Sequence, residues 1–241
     1  MKYAVVVPMA NEASDFSPFI DALTKKIDAI GGGTVFLIVD TVSKDNTLAL
    51  CQDLSKRDAR FITVWAPENK NVVDAYLRGY KEALAHNVDY IIEMDAGLSH
   101  DPNTLPLFLE ALEKGYDCAF GSRFCKGGSI SDSTWKRICL SKGGTLLSNT
   151  FLGTSMTDMT SGYQGFRASV VKQFLDYPLL SKAHFYQTEL RYLLRGKRYV
   201  EIPIRYRAPS PSVSKRALVN SFDVLFHYCS LRLQKKAPRI D

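Results

Sequence analysis

From Tyr3 onward, apolar runs of strand length alternate with segments whose apolar residues recur every three or four positions. Tyr3–Val7 reads as a buried strand. Ser17-Pro18 supplies an N-cap and a first-turn proline, Ile20, Leu23, Ile27 and Ile30 follow at helical spacing, and Gly31-Gly32-Gly33 ends the run. These are the start and stop signals of a helix. Val35–Val39 predicts a second strand, Asn46 to Lys56 a helix, and Phe61–Trp65 a third strand. A helix carrying Val73, Leu77, Tyr80 and Leu84 comes next, then a strand over Ile91–Met94, a helix around Leu105–Glu113 and a short strand near Cys118–Phe120. Strands alternating with helices predict right-handed crossovers and an α/β fold, with a mostly parallel central sheet flanked by helices. No Pro/Gly/Ser-rich linker and no internal repeat divides the chain, so residues 1–241 read as one domain.

The tail has a different pattern. From Lys215, the residues Leu218, Phe222, Leu225, Cys229 and Leu233 share one helical face, and Arg232, Lys235, Lys236 and Arg239 close the end. Such an amphipathic helix either lies in a membrane interface or packs on the sheet. The charge is uneven too. Residues 186–241 hold 12 Lys and Arg against 4 Asp and Glu, a net of +8, whereas the whole chain carries +6. An anionic partner for that end follows: a membrane surface, a phosphorylated acceptor or nucleic acid. The five cysteines form no C-x-x-C pair, which argues against a disulfide framework or a structural zinc site and for a reducing compartment. The first apolar run is too short for a signal peptide, and no run of 18 apolar residues exists. The expected location is cytoplasmic, with peripheral association to the cytoplasmic face of a membrane.

Candidate chemistry sits where strands end. The first strand runs into Pro8-Met9-Ala10-Asn11-Glu12, the second into Asp40 through Thr47, the fourth into Asp95-Ala96-Gly97, and the fifth into Gly121-Ser122-Arg123. In an open α/β sheet the carboxyl ends of the strands border the ligand crevice. Asp95 is therefore placed to hold a ligand or a cation, although an Asp here could also cap the helix near Asn103. Neither G-x-G-x-x-G nor G-x-x-x-x-G-K-[ST] occurs, which argues against dinucleotide oxidoreductases and P-loop enzymes.

This ordered series resembles the family-2 nucleotide-sugar glycosyltransferases of GT-A fold, in particular the dolichyl- or polyprenyl-phosphate mannose synthase branch. Pro8–Glu12 is similar to the P-x-x-N-E entry, Asp40–Thr47 to D-D-x-S-x-D-x-T, and Asp95–Pro102 to D-A-D-x-x-H-x-P. Gly121-Ser122-Arg123 with Gly127-Gly128, Trp135–Gly144, Asp158–Arg167, Phe185–Leu190 and Glu201–Ile204 resemble later blocks. The resemblance covers about Tyr3 to Lys215. It implies a nucleotide-sugar-binding half over 1–122, an acceptor-side half over 123–214 and a basic amphipathic helix over 215–241.

By that resemblance Pro8, Asn11, Glu12, Asp40, Asp95 and Ala96 bind the nucleotide-diphosphate sugar. Asp95 serves a Mg2+ or Mn2+ ion at the diphosphate. Arg123, Arg137, Ser141 and Lys215 hold the phosphate of a polyprenyl phosphate acceptor, and Asp95, Arg123 and Asp158 are the catalytic set. Gln187 and Glu189 are candidates for orienting the sugar or acceptor. Arginine suits a phosphate because its planar fork donates two hydrogen bonds.

The chain departs from the motifs in three places: Gly97 stands where D-x-D has its second carboxylate, Ser99 stands at a neighbouring ligand position, and Thr41 replaces the second Asp of D-D. His100 is then either a recruited ligand or a turn residue. Two other functions remain open. One is transfer to a hydroxyl of a glycan, a protein or a modified DNA base, which needs a general base such as Asp158 or Glu189. The other is a non-catalytic nucleotide-sugar-binding module with a degraded metal motif.

Overall fold

The computed structural model describes residues 1–207 and 215–240. Nine strands and eight helices follow in the order β1 (Tyr3–Met9), α1 (Phe16–Ile30), β2 (Gly33–Val39), α2 (Thr47–Arg57), β3 (Phe61–Trp65), α3 (Val72–Ala85), β4 (Tyr90–Glu93), α4 (Leu105–Glu113), β5 (Cys118–Ser122), β6 (Ser129–Ser131), α5 (Trp135–Leu152), β7 (Gln164–Arg167), α6 (Ala168–Phe174), α7 (Tyr186–Leu193), β8 (Tyr199–Pro203), β9 (Arg205–Arg207) and α8 (Lys215–Leu233). Seven strands form the central sheet in the order β3-β2-β1-β4-β7-β5-β8, and β6 pairs with β9 in a small second sheet. Only β7 runs antiparallel to its neighbours β4 and β5. The expected α/β fold with a mostly parallel sheet is present, and each strand expected in the first half lies within a residue or two of its place.

Local chemistry explains the early elements. Val5, Val6, Val7, Val35, Phe36, Leu37 and Ile92 are all fully buried, as expected for strands covered by helices on both faces. Two apolar layers cover the sheet. One gathers Val6, Phe36, Tyr76, Tyr80, Phe120 and Phe166, and the other Val5, Val7, Leu23, Ile92, Phe108 and Tyr163. Helix α3 begins at an Asn71 cap whose side chain accepts from the Val73 and Asp74 N–H groups, as an N-cap should. It lies close to β1 because Gly79 has no side chain: a Cβ there would fall 2.1 Å from Val6 Cγ1.

The second half could not be read from periodicity. β7 is four residues long and enters the sheet between β4 and β5 by antiparallel pairing. Local spacing carries no signal for such a long-range insertion. Fully buried Arg191 holds this region together, donating to the carbonyls of Asp158, Gly121 and Ser161 and to Gln164 Oε1.

The tail helix forms where expected, but its apolar stripe divides. Val224, Leu225 and Tyr228 are buried, while Leu218, Phe222 and Leu233 are exposed. α8 lies beside α5, with Phe151 and Phe226 rings 5.5 Å apart. The contact face is therefore set by α5 and by the Tyr228 hydroxyl, which donates to Glu189. Residues 208–214, a stretch rich in Ser and Pro, lie outside the described residues.

Candidate active site

The C-terminal ends of β1, β2 and β4 lie side by side because these strands are adjacent and parallel. Past β1 and β2, a cleft of about 90 Å³ is lined by Pro8, Ala10, Asp40, Val42, Asn71 and Val72. A larger cleft of about 340 Å³, bordered by Leu98, Asp101, Arg205 and Arg207, shares none of these residues. Asp40 is buried and accepts from the Val42 N–H through Oδ1. Among the described residues this leaves Oδ2 free for a donor hydroxyl or amine. Asn11 instead braces the neighbouring loop: its side chain donates to the Val42 carbonyl and accepts from the Lys44 N–H. The next two backbone N–H groups are also tied down, Glu12 to Thr47 Oγ1 and Ala13 to Asp45.

Asp95 stands two residues past the end of β4 with 38% of its side chain exposed. It is not a helix cap; Asp101 caps the short 3-10 helix Pro102–Thr104 that leads into α4, accepting from the Asn103 N–H. Tyr76 Oη donates to Asp95 Oδ1 at 2.5 Å. Burial first, and then the charge of Asp95, hold the Tyr76 hydroxyl well above the ordinary tyrosine range, so it stays a donor. His100 is buried, and its Nδ1 accepts from Asp95 N–H at 2.9 Å. The proton is therefore on Nε2, which lies 3.5 Å from Asp95 Oδ2. Burial also lowers the His100 pKa, and its ring stacks on Tyr163 at 4.9 Å. With one nitrogen accepting and the other protonated, His100 orients Asp95 and is not a metal ligand.

Under Asp95 lies Glu93, fully buried, accepting from the hydroxyls of Tyr80 and Tyr186. Burial outweighs these two donors and raises Glu93 to about 8. Gln187 also faces Glu93, and a Cβ on Gly162 would meet Gln187 Nε2 at 2.9 Å, His100 Cε1 at 3.3 Å and Asp95 Oδ2 at 3.6 Å. Gln187 is thus close behind Asp95. Glu12 is half-buried, and burial followed by the charges of Asp15, Asp95 and Asp45 pushes it up to about 7. Ala96, next to Asp95 in sequence, is buried at the turn. Carboxylate oxygens suit Mg2+ or Mn2+, so Asp95 fits a divalent ion. Among the described residues, however, no group of three or more His, Cys, Asp or Glu side chains converges as a protein-only cage.

Two strand positions across from β4, beyond β7, β5 ends at Ser122 and Arg123 follows it. Strand spacing puts these two ends about 10 Å apart. Arg123 is 8% exposed and grips fully buried Asp158: Nε donates to Oδ2 at 2.7 Å and Nη2 to Oδ1 at 2.9 Å. Nη2 also donates to Thr160 Oγ1, and Nη1 reaches Ser141 Oγ at 3.4 Å. Burial raises the Asp158 pKa, but Arg123's hydrogen bonds and charge more than offset it and hold the carboxyl below its usual range. Asp158 therefore fixes Arg123. Glu201 in turn accepts from Thr157 and Asp158 N–H groups and shapes that loop.

Arg137 and Ser141 lie in the first two turns of α5, which Thr134 caps by accepting from Arg137 N–H. Lys142, beside them, sits 5.5 Å over the Phe124 ring. Lys215 is exposed at the start of α8. Glu189 accepts from the Leu180 and Ser181 N–H groups and from Tyr228, so it ties α7 to α8. Tyr76, Glu93 and Tyr186 were not foreseen as site residues. Aromatic positions on a helix face read as core, and the Tyr76-to-Tyr80 spacing of four is their only sequence signal.

The sequence profile of glycosyl transferase family 2 matches residues 4–175. The chain belongs to glycosyl transferase family 2. Relatives in this family include the polyprenol monophosphomannose synthase of Mycolicibacterium smegmatis, 30% identical over 238 residues, 98% of this chain and 88% of that protein. The undecaprenyl-phosphate mannosyltransferase of Micrococcus luteus is 29% identical over 86% of this chain and 84% of that protein. Among solved structures, the fold is similar to Mycobacterium tuberculosis glucosyl-3-phosphoglycerate synthase with Mn2+, uridine-diphosphate-glucose and phosphoglyceric acid. The TM-score is 0.67 at 14% identity, covering 96% of this chain and 79% of that one. As a family 2 member, the chain is a glycosyltransferase of GT-A fold.

Proposed function

We propose that this glycosyltransferase moves a sugar from a nucleotide-diphosphate sugar to a polyprenyl phosphate at a membrane surface. The observation that carries the reading is the pairing of two sites on one sheet edge, Asp95 past β4 and Arg123 past β5, about two strand spacings apart. In this reading Pro8, Asn11, Asp40 and Ala96 shape the nucleoside end, Asn11 through the loop it braces. Asp95 faces the diphosphate. A Mg2+ or Mn2+ ion held there with the donor's phosphate oxygens would neutralise the leaving diphosphate. Arg123, Ser141, Arg137 and Lys215 receive the acceptor phosphate, while Asp158 keeps the Arg123 fork fixed. An ionised phosphate acceptor attacks without a strong general base. A hydroxyl acceptor would need one, and the candidates Asp158 and Glu189 are both buried and hydrogen-bonded.

Membrane association is supported by α5 and α8. Trp135, Leu140 and Leu146 on α5, and Val219, Phe226 and Leu233 on α8, are each more than half exposed, with Lys136, Lys142, Lys215 and Arg216 exposed among them. Apolar residues flanked by basic ones suit an anionic lipid surface. No described helix is long and apolar enough to cross a membrane.

The test is to give the enzyme labelled nucleotide sugars with polyprenyl phosphate in one arm and DNA in another. Label should enter the lipid, and Arg123→Ala and Arg137→Ala should each lose turnover. Full turnover in both variants would refute the acceptor assignment. Label in DNA alone would favour the hydroxyl acceptor, and nucleotide binding without any turnover would favour the non-catalytic module.

A further inference from the structure

Gly97 removes a carboxylate that the D-x-D pattern would supply, and the space it leaves is occupied. A Cβ built on Gly97 would lie 2.9 Å from Glu12 Oε2. The Glu12 carboxylate thus reaches the spot from which an aspartate at 97 would project.

Its position is built in by the backbone. Asn11 adopts φ 60, its amide is spent on the 42–44 loop, and the Glu12 and Ala13 N–H groups are both hydrogen-bonded. On the opposite side, Gly97 and Leu98 both have positive φ, 68 and 62, which curls the chain after Asp95 toward the β1 end. Among the described residues nothing donates a hydrogen bond to the Glu12 carboxylate, and no Lys or Arg pairs with it. A half-buried carboxylate facing Asp95 without a cation is costly to ionise, and a bound cation would relieve that cost.

A second observation points the same way. Asp95 Oδ1 accepts from Tyr76, and the protonated Nε2 of 1%-exposed His100 is aimed at Oδ2 from 3.5 Å with no hydrogen-bond partner of its own. Such bracing from behind is how proteins orient carboxylates that meet metal ions.

We propose that Glu12 replaces the missing carboxylate and forms, with Asp95, a two-carboxylate seat for the divalent cation that accompanies the donor diphosphate. The inference rests on the nucleotide-sugar reading above. It gives Glu12 a role at the diphosphate instead of at the base.

Binding, not turnover, tests it. Free Mn2+ is followed by electron paramagnetic resonance as the full chain is titrated in the presence of uridine or guanosine diphosphate, with the unfolding midpoint of each variant as a control for folding. Glu12→Gln should weaken Mn2+ binding by about tenfold or more, because affinity follows the number of charged ligands. The double variant Glu12→Ala/Gly97→Asp should recover most of it, since aspartate tolerates the left-handed backbone at 97. Wild-type Mn2+ affinity in Glu12→Gln, with Asp95→Asn deficient, would overturn the proposal, as would a folded double variant that recovers nothing. If the nucleoside diphosphates bind but draw in no Mn2+, the seat is refuted and the donor reading stands. If neither diphosphate binds, both fall.

Discussion

At the scale of single residues, the site depends on two buried or half-buried ionic groups held by named partners. Arg123 and Asp158 form the first. Removing one member of a buried pair leaves the other uncompensated, so Asp158→Asn should cost about 3–5 kcal/mol of stability at neutral pH. Because Asp158 is held below its ordinary value of 3.8, its contribution is fully present above that value. It disappears as pH falls through the depressed folded value. Urea unfolding at pH 7 and at pH 3 should therefore show a smaller gap between wild type and Asp158→Asn at the acid end; an equal gap would contradict this account. The second group is Asp95 with Tyr76. Tyr76→Phe removes only the hydroxyl, and loss of a partner behind a ligand typically weakens metal affinity by about 10–100-fold. Mn2+ titration in the presence of a nucleoside diphosphate reads the effect, with the unfolding midpoint reporting any loss of packing. The D-A-x and G-S-R motifs marked both positions. What braces them was hidden, since a tyrosine on α3 becomes a partner of Asp95 only once α3 lies on β1.

Among the elements, α8 departs most from the sequence pattern. The stripe Leu218, Phe222, Leu225, Cys229 and Leu233 would turn to a single neighbour, but α8 buries Val224, Leu225 and Tyr228, sets the edge of Phe226 against Phe151 of α5 and bonds Tyr228 to Glu189 of α7. Val219, Phe222, Phe226 and Leu233 remain on an exposed face. Burying an apolar side chain is worth about 1.5–3 kcal/mol, so Val219→Glu/Phe226→Glu should weaken binding to anionic vesicles by about a hundredfold or more. Co-sedimentation measures this, and raised salt should weaken the wild type as well. Vesicle binding unchanged in the double variant would leave that face without its assigned role.

For the molecule as a whole, the sheet does the positioning, and helices that press close to it keep it in register. Gly79 allows α3 to approach β1, and Gly79→Ala would place a methyl 2.1 Å from Val6 Cγ1. Overpacking of this kind costs about 1–3 kcal/mol, against a gain of about 1 kcal/mol in helix propensity. Chemical denaturation should show a net loss, and a more stable variant would mean that α3 can move outward freely.

The amino-acid sequence alone determined the alternation of strands and helices to β5 and the polar motifs at their ends, because periodicity and turn chemistry are local. It also revealed the gap at Gly97. Tertiary structure decided the rest: β7 entering between β4 and β5, Arg123 locked by a carboxylate 35 residues away, and Glu12 filling the space at Gly97. Those outcomes depend on which distant segments come into contact, and contact between distant segments leaves no period in a chain.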